Sequence, residues 1–349
     1  MSMLQSLHVE SQHERNDTQD FSGITHSFKL GKFQAYAAQL AESVASKLKH
    51  HSEVADIESD QIWTTSHMQR LVTWGLHRIS HRDFHDPRTY YYDKSAGQGT
   101  FGYIVDSGVR TTHNEIEGRV SLGYNAFGVM PFVDDSGHGT HNAATMCGTT
   151  FGVAKNCTLI AVKIYRKDKT TLATVLDGYE WAVKDVLEKR RQAKAVIFLS
   201  ASGSFSNSMN KVIDSAFQLG ITTIVAAGND GANTRNVSPA SAKGAITTAS
   251  VNFVRRRSKN SNFGPDVDIF APGSTILGAS SSCDNGKTIM SGTSMAAAFA
   301  SGLALYFKGM RDLFDAEATR FFMLRVATVG VVGDPAGSRN IFAYNDSGR

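Results

Sequence analysis

Cysteine is scarce: the 349 residues hold three, Cys147, Cys157 and Cys283. So few, without metal-ligand spacing, exclude a disulfide framework and a zinc site, and the expectation is buried or inert thiols. An odd count leaves at least one without a partner in the chain. No run of eighteen apolar residues occurs, which removes a helical membrane span. Charge of one sign is not in excess, with 36 Lys and Arg against 32 Asp and Glu. The basic clusters EKRRQAK (188–194) and RRR (255–257) are short and read as solvated faces, so no nucleic-acid partner is expected. The opening MSMLQSLHVESQHERNDTQ lacks the basic-then-apolar pattern of a leader, and there is no long repeat or low-complexity linker. Sequons stand at Asn16, Asn156, Asn236 and Asn345, a common pattern that matters only in a secreted protein. A chain of this length, 41% hydrophobic and 19% charged, suits an ordinary globular protein with one large domain and something smaller.

From about Phe101, short β-branched runs alternate with helical patterns: FGYIVD, CTLIAVKI, a helix over Leu172–Arg190, AVIFLS, a helix over Asn207–Leu219, ITTIVAAG, AITTASV, VDIFA, and a helical region from Gly292. Strands apolar throughout and separated by helices predict an α/β fold, a doubly wound parallel sheet covered on both faces. In such sheets ligands bind beyond the carboxyl ends of the strands, so chemical residues belong where strands end or helices begin. Residues 25–65 differ: a strand, a helix from about Tyr36 to His50 and a second strand VADIESD form a small α+β unit with little independent stability.

Four residues meet that positional rule. Asp106 ends FGYIV, His138 stands between two glycines in DDSGHGTHNAATMCG, Asn229 follows ITTIVAAG, and Ser294 lies in SGTSMAAAFASG before an apolar run. Singly, each has an ordinary structural explanation: turn residues for Asp106 and Asn229, a structural or surface histidine, a helix N-cap for the serine. Together they supply a hydroxyl, an imidazole, a carboxylate to orient it and an amide donor, the parts acyl transfer needs. A dinucleotide site at Gly137 and Gly139 fails, because Asn142 stands where the third glycine is due.

The chain order Asp, His, Ser is that of subtilisin. DSGV with THNEIEGR, GHGTH, VAAGN, SPAS, FAPG and SGTSMA together resemble the subtilases, and SAGQGTFGYIVDSGV with SNFGPDVDIFAPG is similar to the proteinase K subfamily, fungal alkaline proteases above all. The likeness runs from about Trp74 to Tyr344 and closes on NIFAYN. It implies a subtilisin-like fold and a secreted, monomeric serine endopeptidase acting on polypeptides. Asp106 would orient, His138 would be general acid and base, Ser294 the nucleophile, and Asn229 with the Ser294 backbone N–H the oxyanion hole. An extended substrate would lie along Ser200, Ala201, Ser202 and Gly203 and along Lys169–Ala173, with Ala226, Ala227 and Gly228 walling the main pocket and an apolar or aromatic preference. Relatives read SLGG where this chain reads SASG, so Ser202 would narrow that pocket.

The resemblance also makes residues 1–65 a partial inhibitor-type propeptide and 66–349 the peptidase domain, with Ile62–Thr65 in the cleft and cleavage near Thr65 and Ser66. The first propeptide strand and the leader of relatives have no match before Met1, and the expectation is a chain that starts upstream. A structural calcium would use the Asp268 carboxylate and the carbonyls of Lys243 and Ala245. Departures cluster around the reacting groups: Ala297, Ala298 and Phe299 replace a Thr or Ser, Pro, His run, and Asn142 and Ala144 replace Val or Cys and Gly, adding bulk behind His138. They keep open an alternative, a catalytically weak homologue that binds peptides or its own pro-segment.

Overall fold

The computed structural model describes residues 23–60, 66–83 and 88–349. The chain divides into two compact units, Met1–Thr64 and Thr65–Arg349. In the first, β1 (Gly23–Leu30) and β2 (Phe33–Gln39) form an antiparallel hairpin, followed by α1 (Glu42–Lys49). The helix expected from Tyr36 therefore starts later. Leu30 pairs with Phe33 across a turn where Gly31 takes a φ of 60°, and that pairing draws Phe33–Gln39 into the ladder against the helical preference of its alanines. Val44 and Leu48, four apart on α1, are buried. VADIESD forms no strand, and Ile62–Thr65 lies outside the described residues.

The second unit opens with the hairpin of β3 (Ser66–Arg70) and β4 (Thr89–Asp93), with α2 (Trp74–Ile79) between them. Its centre is a nine-stranded sheet. The strands are β5 (Phe101–Asp106), β6 (Val120–Asn125), β7 (Thr158–Lys163), β8 (Ala195–Leu199), β10 (Thr222–Ala226), β12 (Ala245–Val251), β13 (Ile269–Pro272), β16 (Thr328–Val329) and β17 (Ile341–Phe342). They run in the order 16-17-13-12-10-8-5-7-6, all parallel except edge strand β16. Two small ladders flank the sheet, β9 (Gly203–Ser204) with β11 (Val237–Ser238) and β14 (Ile276–Ala279) with β15 (Lys287–Met290).

The longer helices described in the unit are α3 (His138–Cys147), α4 (Leu172–Glu188), α5 (Asn207–Gln218), α6 (Thr293–Met310) and α7 (Ala316–Val326). The strands are apolar throughout because both faces are covered. Ile104, Leu159, Phe198 and Ile224 join the core beneath α3 and α6, whereas Tyr103, Val105, Ile197, Leu199 and Val225 join the one beneath α4 and α5. Strand β5 lies between β7 and β8: the chain runs from β5 out to β6 and back to β7 on one side, then crosses to β8 on the other, so the strand order reverses at β5, and the rule for open α/β sheets puts ligands at its carboxyl end. Helix α6 is buried from Thr293 to Lys308 and packs on α3 and on β8, β10, β12 and β13.

The cysteines depart from expectation. Cys147, ending α3, and Cys157, just before β7, form a disulfide with Cα atoms 5.8 Å apart, and Cys283 is free and exposed. The turn through residues 148–156 brings the two together, which their spacing alone does not reveal.

Candidate active site

Asp106 is fully buried at the end of β5. Its Oδ1 accepts from Ser107 N at 2.6 Å, and Oδ2 from Ser200 Oγ at 2.9 Å and Asn142 Nδ2 at 3.1 Å. His138 Nδ1 lies 2.8 Å from Oδ1 and 3.0 Å from Oδ2. An ionised carboxylate only accepts, so Nδ1 carries the proton and Nε2 is left as an acceptor on a ring whose side chain is 30% exposed. Burial disfavours charge on Asp106, but His138, the Ser107 amide and the Ser200 hydroxyl outweigh it and hold the carboxyl below its ordinary range. Burial pulls His138 down, and Asp106, then Asp134 and Asp168, more than offset that, leaving the imidazole above its ordinary value.

The position of His138 is fixed by a hub that the sequence reading missed. Asp134 accepts from the backbone of Ser136, Gly137 and Thr140, from Thr140 Oγ1 and from Ser107 Oγ, pinning the start of α3 to the end of β5. Its spacing was the available signal: a carboxylate three and six residues ahead of amides that open a helix is the chemistry of an N-terminal cap. Gly137 takes a φ of 83°, and a Cβ on Gly139 would stand 2.0 Å from the Gly108 carbonyl oxygen, so the strand end and helix start approach only because residue 139 is glycine. Lys163 Nζ donates to Ser107 O at 2.6 Å and to Asp135 at 2.9 Å, closing the floor.

Ser294 lies in the first turn of α6, the helix packed against α3, and is 6% exposed. Among the described residues its hydroxyl has no hydrogen-bond partner, and its N–H, in the opening turn, has no intrahelical acceptor. Asn229 is oriented from the same turn: its Oδ1 accepts from Thr293 N at 2.8 Å and Thr293 Oγ1 at 3.1 Å, leaving Nδ2 without a protein partner among the described residues.

The stretches expected to line a cleft behave unevenly. Ser200 turns its hydroxyl to Asp106, Ala201 is buried, and Ser202 and Gly203 are exposed, Gly203 pairing with Ser238. Ala226 and Ala227 are buried, and Gly228 N donates to Thr293 Oγ1. Lys169–Ala173 is a turn and helix cap instead of a strand edge: Arg166 bridges to Lys169, and Thr171 Oγ1 accepts from Thr174 N to start α4.

The oxygens expected to hold calcium do not fit a cation as they stand. Arg320 Nη2 donates to Lys243 O at 2.7 Å and to Ala245 O, and Asp268 Oδ2 accepts from Thr247 N. Burial raises the Asp268 carboxyl above its ordinary range, against the attraction of Arg320. A guanidinium from α7 thus supplies the positive charge there. Among the described residues no group of three His, Cys, Asp or Glu is placed to hold a metal.

The subtilase family model matches residues 97–344, and that of peptidase inhibitor I9 matches residues 1–66. The chain is 40% identical over 325 residues to "Alkaline protease 1" of Aspergillus oryzae, covering 93% of this chain and 80% of that one. It is 40% identical over 361 residues to "Alkaline proteinase" of Hapsidospora chrysogena, covering 100% and 88%. Among solved structures, a cold-adapted subtilisin-like serine proteinase superposes with a TM-score of 0.74 at 31% identity, covering 78% of this chain and 98% of that one.

Proposed function

Given that the chain belongs to the subtilase family and is a serine endopeptidase, we propose that Ser294, His138 and Asp106 are its catalytic triad and that Asn229 Nδ2 with the Ser294 N–H stabilises the oxyanion. The observation that carries this reading is the bond to a fully buried Asp106 from Nδ1 of His138, whose helix α3 packs against α6, the helix that carries Ser294 in its first turn.

The steps follow from these groups. A serine hydroxyl is a weak nucleophile until its proton has somewhere to go, and neutral His138 offers Nε2 as the acceptor. As Oγ bonds to the substrate carbonyl carbon, the carbonyl oxygen gains negative charge, which the Asn229 amide, the Ser294 N–H and the positive end of α6 stabilise. Asp106 stabilises the imidazolium so formed. The imidazolium returns its proton to the leaving amine, and a water activated by the same imidazole then cleaves the acyl-enzyme. No step uses a metal. Exposed backbone at Ser202 and Gly203 offers an edge along which an extended polypeptide can lie, with an apolar or aromatic preference.

The inhibitor I9 match over residues 1–66 supports a zymogen whose front segment acts as an intramolecular inhibitor, and we place its removal near Thr65 and Ser66. The Cys147–Cys157 disulfide supports an oxidising, extracellular setting.

The test is fluorophosphonate labelling of the processed protein beside a Ser294→Ala control. A covalent adduct on the native chain and none on the variant is the expected result. Absence of Ser294-dependent labelling would overturn the reading in favour of a peptide-binding homologue.

A further inference from the structure

Asn142 is fully buried one helical turn beyond His138, and among the described residues half of its carboxamide has no hydrogen-bond partner. Its Nδ2 lies 3.1 Å from Asp106 Oδ2, 3.2 Å from His138 Nδ1 and 3.4 Å from His138 Nε2, while Oδ1 has no partner among the described residues. Near-equal distances to both ring nitrogens set the amide against the face of the imidazole. An apolar side chain would avoid the cost of the orphaned oxygen, and a buried polar group kept with one end unsatisfied calls for an explanation.

The geometry points to Asn142 as a positioning residue that lowers the basicity of His138 by sharing the Asp106 carboxylate and facing the ring with the positive end of its amide dipole. The inference rests on the triad reading above. Two effects act in the same direction. A donor on Oδ2 stabilises the carboxylate and weakens it as a partner for imidazolium, and the amide hydrogens beside both ring nitrogens disfavour a positive ring. The other groups facing the imidazole are Asp106 from β5, Asp134 from the loop before α3, Asp168 from the loop after β7, and His141 from its own helix. The carboxylates raise it; His141, which burial holds down to about 4, is neutral at working pH. Asn142 counters that acidic surround, keeping more His138 neutral, and so competent as a base, at a given pH.

The sign of the test follows. Activity of the free enzyme falls as pH drops through the His138 pKa, so removing the amide donor must move the acid limb of kcat/KM upward. For processed Asn142→Leu, close in shape to asparagine, the expected shift is up by about half a unit or more. Asn142→Asp, which puts a second carboxylate against the ring, should move the limb further up than Leu does. The His138 Hδ1 proton resonance, followed against pH, should give the same ranking. If Leu does not fold, Asn142→Ala removes the same donor with less bulk. Altered melting temperature with an unmoved limb, or a limb moved downward in the Leu or Ala variant, overturns the inference and leaves Asn142 structural. Loss of Ser294-dependent turnover in the native enzyme is a separate result and fails the triad reading instead.

Discussion

Two aspartates at opposite ends of the sheet are pushed in opposite directions. Asp106, fully enclosed at the carboxyl end of β5, sits below the ordinary carboxyl range, while Asp268, also largely enclosed just before the amino end of β13, sits above it. Enclosure alone would raise both. The difference lies in the donors: Asp106 collects an imidazole, an amide, a hydroxyl and a carboxamide, whereas Asp268 has the Thr247 amide and a guanidinium that bonds to the neighbouring carbonyls instead. Buried charge is governed by who faces it. The carboxyl end spends its donors on a group that must stay ionised during turnover, and the amino end spends a cation on joining α7 to β12.

The comparison breaks most visibly at Asp106. Asp106→Asn keeps the shape but removes the charge and allows the wrong histidine tautomer, and should lower kcat/KM by about 10⁴. Melting temperature should change little by comparison, because the neutral amide can still bond to Ser200 and His138. Steady-state kinetics and thermal melts on the same preparation check both halves. A variant that loses stability but keeps turnover would assign Asp106 the structural role that Asp268 has.

At the other end the expected effect is on stability. Arg320→Met strands the carbonyls of Lys243 and Ala245 and removes the attraction that favours ionised Asp268, so the fold should lose about 2–4 kcal/mol. Denaturant unfolding of the processed, inhibited enzyme measures it. Activity per folded molecule should be retained, since no triad partner is touched.

Much of this was legible in the sequence, and the remainder failed for identifiable reasons. The parallel sheet was readable because strands covered on both faces are apolar at every position, and Asp106, His138, Asn229 and Ser294 stood where strands end or helices begin. The β2 strand was hidden because pairing with β1 overrode the alanine preference. Ser200 was read as part of a substrate strand because alternation along an element past its last ladder bond cannot be told from composition. Asn142 was read as bulk; which atom its amide faces depends on the distance between β5 and α3, set by Gly139 and Asp134. The calcium donors were named as oxygens with no account of Arg320, seventy-five residues beyond Ala245, since nothing local announces which helix will point a guanidinium into a pocket.

The smallest expected effect is also the sharpest test of the amino end. With Arg320 Nη2 already on the carbonyls of Lys243 and Ala245, a divalent cation entering there would meet a fixed positive charge and displaced acceptors. Any calcium-dependent rise in the melting temperature of the native enzyme should therefore survive Asp268→Asn. Arg320→Met clears the same oxygens and leaves the Asp268 carboxylate beside them, a set suited to a hard cation that keeps several waters. Calcium should then raise its melting temperature in a concentration-dependent way, as a ligand that binds only the folded state must. Magnesium should do less, because it gives up water reluctantly and demands a stricter octahedron. A native enzyme that gains stability with calcium, while Arg320→Met and Asp268→Asn lose that gain, would show the guanidinium to be a neighbour of the cation and not its replacement.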